Sequence, residues 1–288
     1  MFKKKKDQTY QSYWSISWNI FKKNKVAMVC LFIVILLCLI ALFAPLIAPY
    51  DPNKQVLTDR LMKPCGQHWF GTDDLGRDIF SRIIYGCRVS LSVGIISQII
   101  ATVIGYTMGV CAGYYGGKVD SVISFLIQVF SSFPFLLFAM AIMFVLGGLI
   151  NLYLALGLLG WASTARLIRG DVMRLKKMEY IDACKVSGGN SFRIIMKHLL
   201  PNCLSTLIVT VTLGIPNAIM SEASLSFLGL GVKAPMASWG SMISFSQPYI
   251  RSATYYSVIP GLAIIITVLA FNMLGDGLRD ALDPKLRS

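Results

Sequence analysis

The chain has 288 residues, a formal net charge of +13, 55% apolar residues and 14% charged ones. Soluble domains carry roughly a quarter of their residues as charged side chains, so this composition excludes an ordinary soluble fold, and several apolar runs reach the roughly 20 residues that cross a bilayer as helix. Backbone polar groups in lipid must be satisfied within the segment. The expected fold class is therefore an all-α polytopic membrane protein, with six transmembrane helices and both termini cytoplasmic.

The positive charge sits beside the apolar runs. Lys3 to Lys6, Lys22, Lys23 and Lys25 precede the first run, a cluster from Arg166 to Lys197 separates two later ones, and Arg279, Lys285 and Arg287 follow the last. Basic residues beside spans mark the cytoplasmic side. That accounts for the charge with the lipid bilayer as the partner and no nucleic acid.

Residues 1–25 are basic and amphipathic, with Tyr13, Trp14, Ile16, Trp18 and Phe21 among polar neighbours, which predicts a cytoplasmic interfacial helix. Residues 26–288 read as one six-span domain. Its first span, 26–48, is an uncleaved anchor, since its charge-free core exceeds a signal-peptide core and no A-x-A site follows. Pro45, Pro49 and Pro52 end it. An external loop covers 49–87. Asp73, Asp74 and Asp78 in that loop admit a cation site or a capped turn with Asp–Arg pairing, and the spacing lacks the glycine and glutamate of an EF-hand, which favours the turn. Cys65 and Cys87 fall on the same side, which leaves a disulfide open. Cys30, Cys38, Cys111 and Cys203 read as packing residues, and the scattered cysteines suggest no metal site.

The second span, 89–112, leads a stripe of Ala101, Gly105, Gly109 and Gly113 at every fourth position, which lets helices pack backbone to backbone, in this case against a neighbouring span of the same chain. Tyr114 to Lys118 is a tight inner turn. The third span, 119–146, has Pro134 in its middle, where a proline frees a carbonyl and bends the helix. Such a bend lines the path in a transporter or fits a neighbour in any bundle. Gly147-Gly148 turns outside, and the fourth span covers 149–165. After a polar island over 166–200, the fifth span covers 201–220, with Pro216 and Asn217 near its outer end. Residues 221–255 return outside, apolar for a loop and broken by Gly229, Gly231 and Pro235, so they dip into the membrane or cap the bundle. Glu222 at their start is an ionisable group at a span end, a path candidate whose alternative is a helix-end ion pair. The sixth span covers 258–274, and the tail ends inside.

Much chemistry is missing. Gly116-Gly117-Lys118 lacks the first glycine and the hydroxyl of a phosphate-binding loop, so the chain is not expected to hydrolyse ATP or hold a cofactor. HExxH and Gly-x-Ser-x-Gly are absent, and His68 and His198 fall on opposite sides. These points argue against a membrane enzyme. The spans hold almost no carboxylates, which argues against an ion-coupled carrier. A stand-alone channel has no need of a small-faced cytoplasmic helix. What remains is a path whose energy comes from a partner.

The spacing in the island admits an ordinary connecting loop with a surface helix, or the place where such a partner would attach. Ala183, Cys184, Ser187 and Gly188 form one small-residue face on a helix, Glu179, Asp182 and Lys185 carry charge, and Gly188-Gly189-Asn190 ends it. A second helical pattern starts at Ser191 and reaches Pro201. Asp182-Ala183-Cys184, Gly188 and His198-Leu199-Leu200-Pro201 keep the spacing of the EAA-type cytoplasmic loop of ABC importer permeases, with Asp for Glu, Cys for the second Ala and His for Ile. The stretch from His68 to Leu91 and the tail from Gly275 to Pro284 also resemble this group, and the likeness extends from about residue 20 onward. The resemblance is to the second permease subunit of dipeptide, oligopeptide and nickel importers. It implies a type I ABC importer permease fold in a bacterial cytoplasmic membrane, with a second homologous permease, two ABC ATPase subunits and an extracytoplasmic solute-binding protein as partners. It further implies ATPase contact through Glu179, Asp182, Ala183, Cys184, Ser187, Gly188 and Gly189. The expected cargo is di- or oligopeptides, with nickel or a metal–chelator complex as the alternative. Pro134, Asn217 and Glu222 are the path candidates.

Overall fold

A computed structural model describes residues 13–283. The expectations on residues 1–12 and on Pro284 to Ser288 lie outside the described residues. The helices, in order, are α1 (Tyr13–Lys23), α2 (Lys25–Leu42), α3 (Ala44–Ile47), α4 (Ile79–Tyr115), α5 (Gly117–Ser132) and α6 (Phe135–Leu146). They continue with α7 (Leu149–Leu175), α8 (Glu179–Val186), α9 (Ser191–Ile194), a π-helical turn over Ile195–Leu199, α10 (Leu200–Phe227), α11 (Trp239–Ser246) and α12 (Thr254–Leu282). Among the described residues the only strand-like pairing is one isolated bridge between Thr72 and Asp78.

Four helical runs are long and apolar enough to cross a membrane, namely α2, α4, Ser191–Phe227 and α12, and a fifth arises if α5 and α6 are one span bent by 83°. The bend is a full break. Phe133, forced towards extended backbone by the following proline, has φ −93° and ψ 138°, so α5 stops at Ser132 and Pro134 caps a new helix. The expected fourth span lies in α7, which runs 27 residues to Leu175. It falls short of the others in apolarity because Asn151, Ser163, Thr164 and Arg166 interrupt the run, and it packs against α4, α5, α6 and α10.

Several boundaries differ from expectation. α4 starts at Ile79, ten residues before the expected second span, because the Asp78 side chain caps it by accepting Ser81 N–H at 2.7 Å. α10 runs through Met220 to Phe227, which places Glu222 inside a helix and not in an external loop.

The bundle is built around the contact of α4 with α7, the most extensive in the molecule. A Cβ on Gly105 would lie 2.6 Å from Thr164 Cβ, one on Gly109 2.7 Å from the Ala165 carbonyl oxygen, and one on Gly113 2.9 Å from the Arg169 carbonyl oxygen. Ala101 lies across from Gly160, whose Cβ would stand 3.2 Å from the Ala101 Cβ. The small-residue stripe thus faces a helix of the same chain. Arg169 also grips Asp120 of α5 with two hydrogen bonds of 2.5 and 2.7 Å. Elsewhere Phe21, Ala27 and Cys30 pack with Ala270, Leu274 and Ala281, so α1 is seated on the end of α12.

The chain ends of the bundle are chemically unlike. One, the basic end, carries Lys22 and Lys23, the turn at Gly116, the segment 176–199 and Arg279. The opposite, loop-rich end carries 43–78, Gly147-Gly148 and 228–253. At the loop-rich end the aspartates form an ionic knot, the capped turn with Asp–Arg pairing. Fully buried Asp73 accepts Leu75 N–H and Arg77 N–H at 2.9 Å each and the Arg77 Nε–H at 2.6 Å, and Arg82 Nε stands 3.4 Å away. Arg82 also donates to the Pro52 carbonyl at 2.9 Å. Asp78 meets His68 Nδ1 at 2.9 Å, and Tyr256 donates to Asp74 at 3.1 Å. The 228–253 segment caps the bundle: α11 lays buried Trp239 against α4, donating Nε1–H to the Ile83 carbonyl at 3.1 Å. Cys65 and Cys87 are free thiols; Cys87 is buried and reaches the Leu37 carbonyl inside the bundle, while Cys65 is exposed on the loop.

Candidate functional site

At the basic end α8 stands out as a short exposed helix on a single buried foot. Ile181 is fully buried among Val110, Ile168, Val172, Ile194, Leu199 and Cys203. Glu179, Asp182, Ala183, Lys185, Ser187 and Gly188 are exposed, and Cys184 is half-buried against that cluster. Of the small face expected from the sequence, Ala183, Ser187 and Gly188 therefore point outward and Cys184 inward. The end of α8 is a double hydrogen-bonded cap: Gly188 N–H bonds to the Lys185 carbonyl at 3.0 Å and Gly189 N–H to the Cys184 carbonyl at 2.9 Å. Gly188 has φ +80° with open space around a Cβ, whereas a Cβ on Gly189 would lie 2.7 Å from Cys184 Sγ. Asn190 then caps α9 by accepting Arg193 N–H at 2.8 Å. The π-helical turn has a local cause. Pro201 has no N–H to give to the Lys197 carbonyl, and one residue earlier Leu200 N–H reaches back five residues to Ile195.

Beside α8 a cavity of about 1320 Å³ runs between α5, α6, α7, α10 and the end of α12. Its wall on α10 carries Asn202, Ser205, Thr206, Thr210, Asn217 and Ser221, close to one polar residue per helical turn, and α7 adds Ser163 and Thr164. Charge is confined to the basic end, where Arg174, Arg279 and Asp283 line it. There Thr206 donates to Asp171 at 2.5 Å, linking α10 to α7, and Asp171 pairs with Arg174 at 3.3 Å. Of the path candidates, Asn217 lies in the wall. Pro134 stands at the break whose flanks, Phe133 and Phe135, line it. Glu222 is not among the lining residues. It is fully buried and accepts hydrogen bonds from Ser226 at 2.6 Å and Ser238 at 2.7 Å, which ties α10 to the cap of α11.

Residues 102–288 match the family model described as the binding-protein-dependent transport system inner membrane component, and residues 12–64 match the N-terminal TM domain of oligopeptide transport permease C. The chain belongs to this permease family. Among its relatives, the dipeptide transport system permease protein DppC of Bacillus subtilis is 46% identical over 96% of this chain and 87% of its own length. The oligopeptide transport system permease protein OppC of the same organism is 42% identical over 96% and 91% of the two chains. The glutathione transport system permease protein GsiD of Pectobacterium atrosepticum is 41% identical over 98% and 95%. The fold matches an inward-facing MetNI methionine ABC transporter with a TM-score of 0.57, covering 71% of this chain and 98% of that one at 19% identity.

As a member of a transport permease family, the permease is a multi-pass membrane protein and not itself an enzyme. Sequence reasoning missed several of its residues. In the sequence Lys176 is one of the basic residues of the 166–197 cluster, and in the structure its ammonium bonds to the Tyr114 carbonyl at the end of α4. Ser238 carries no signal as a partner of Glu222, because it lies 16 residues away, whereas Ser226 stands one helical turn on and was readable. The polar row on α10 was legible as a four-residue period, although only Asn217 was singled out.

Proposed function

We propose that this permease is the subunit of an ATP-driven importer that forms, with a second homologous permease, the path for di- and oligopeptides across a bacterial cytoplasmic membrane. The basic end is cytoplasmic, both termini lie there, and the chain crosses six times, with α5–α6 as one broken span and α7 as another. Glu179, Asp182, Ala183, Cys184, Ser187, Gly188 and Gly189 form the docking element for an ABC ATPase. Two such ATPases drive the pair of permeases, and an extracytoplasmic binding protein delivers cargo at the loop-rich end.

The observation that carries the peptide reading is the cavity wall. Its hydroxyl and amide groups can donate to and accept from peptide main chains, and among the described lining residues there is no histidine, cysteine or glutamate to hold a bare metal ion. The dipeptide, oligopeptide and glutathione names of the relatives support the same choice. The test is recovery of tagged protein from native membranes in mild detergent. Wild type is expected to bring down an ATPase and a second permease. Gly188→Trp is expected to lose the ATPase and transport, while Gly188→Ala, which carries the same left-handed backbone cost without the bulk, retains both. Full transport by Gly188→Trp would sink the docking assignment. A co-purified binding protein that takes nickel and no peptide would transfer the cargo assignment to metal.

A further inference from the structure

α4 ends at Tyr115, so its last carbonyls have no N–H partner within the helix. Gly116 N–H takes the Ala112 carbonyl. The Tyr114 carbonyl accepts a side chain from another helix, the Lys176 ammonium, at 2.5 Å. A cation is favoured at this end of a helix by the backbone dipole. The same ammonium stands 5.7 Å from the centroid of the Tyr114 ring. Lys176 is also the residue that closes α7, its own N–H bonded to the Val172 carbonyl at 2.8 Å, and it lies just before α8.

The return of the loop converges on the same point. Tyr114 shares the apolar cluster of Ile181, the buried foot of α8. Its hydroxyl approaches Ser191, the first residue of α9, at 3.4 Å. The segments that lead into and out of α8, at Lys176 and Ser191, thus both meet the final turn of α4. That helix spans 37 residues without a break, and its other end is fastened by Asp78 and Arg82 into the ionic knot. It is a stiff member joining the exposed helix to the loop-rich end.

We propose that Lys176, seated on Tyr114, is the positioning residue that passes movement of α8 into α4 and so to the loop-rich end. This rests on the reading that α8 docks an ATPase. A lysine that merely satisfied a carbonyl would affect stability alone. A transmitting joint would change how much cargo moves per ATP, and residues along such connections shift coupling by roughly two- to thirtyfold.

The experiment compares the complete importer in proteoliposomes carrying Lys176→Met, Lys176→Arg, Tyr114→Ala and Tyr114→Phe. Three quantities are read: ATPase retained on the permease, ATP hydrolysed, and peptide imported per ATP. Lys176→Met and Tyr114→Ala are expected to keep the ATPase bound and hydrolysing while import per ATP falls roughly fivefold. Lys176→Arg keeps a cation at the helix end and over the ring, Tyr114→Phe keeps the ring itself, and both are expected within about twofold of wild type. Should Tyr114→Ala fail to insert, the two lysine variants decide alone, since methionine retains the apolar stem. Wild-type import per ATP in Lys176→Met, with Gly188→Trp inactive, overturns the joint. So does a fall in ATPase binding that matches the fall in import. If Gly188→Trp also transports normally, the docking reading fails first and takes the joint with it.

Discussion

Asp73 and Asp182 are both aspartates beside a basic residue, and their surroundings give them different roles. Asp73 is fully buried between Arg77 and Arg82, which are themselves 4% and 1% exposed. Removing one partner of a buried ion pair leaves uncompensated charge and costs about 3–5 kcal/mol. Asp182 pairs with Lys185 at 2.8 Å on the surface, where both side chains are well exposed, and such pairs contribute about 0–1 kcal/mol. Asp73→Ala is therefore expected to lower thermal stability in detergent by several degrees or to prevent recovery of folded protein. Asp182→Ala should melt like wild type, so a transport defect in it would support the proposed docking role and not a loss of stability. Equal melting temperatures for the two variants would contradict the buried knot. The turn itself was readable from Asp, Gly and Arg spacing. Which arginines it gathers was not, because Arg82 belongs to the helix that follows.

At the scale of helices, the same chemical change should have opposite signs at two glycines. A methyl group on Gly109 would lie 2.7 Å from a backbone oxygen of α7, an atom that cannot swing aside. Overpacking of this kind costs about 1–3 kcal/mol. Gly170, on α7, has nothing within 4 Å of a would-be Cβ, and an unhindered glycine inside a helix costs about 0.5–1 kcal/mol relative to alanine. Gly109→Ala is expected to lower the unfolding temperature and Gly170→Ala to leave it unchanged or raise it. A rise for both would mean that α4 and α7 do not meet along this stripe. The four-residue period made the stripe visible in the sequence; its partner was not visible, since Gly160, Thr164 and Ala165 follow no equally clean period. The break at Pro134 was under-read for a similar reason. A proline inside an apolar run predicts a kink, and the 83° turn depends on Phe133 adopting extended backbone as well. Apolar runs located the start of the first span and the middle of the last, whose helix extends from Thr254 to Leu282. They missed the two and more turns of α4 above the lipid-length segment, where capping by Asp78 and burial of Arg82 hold charged sequence in a helix.

For the whole molecule, the proposed role of the cavity as the cargo path can be tested electrically. Over most of its length it offers neutral hydrogen-bonding groups, and its charged residues gather at the basic end. On the proposed reading, a wall of that kind is expected to tolerate peptides of either sign. Asn217→Asp would place one carboxylate in it at almost no change in shape. Two like charges about 8 Å apart at an effective dielectric of about 20 repel by about 2 kcal/mol, enough for roughly a tenfold bias after screening by water and salt. Cells carrying this variant are expected to take up an acidic dipeptide roughly tenfold more slowly relative to a lysine-containing one, with wild type showing a much smaller difference. The ratio matters more than either rate, because a general loss of folding or of ATPase docking would slow both peptides together. An unchanged ratio, with import otherwise intact, would remove Asn217 from the path and with it the argument that the α10 row faces passing cargo. A shifted ratio would mean that this wall, and not delivery alone, is in contact with peptide during passage.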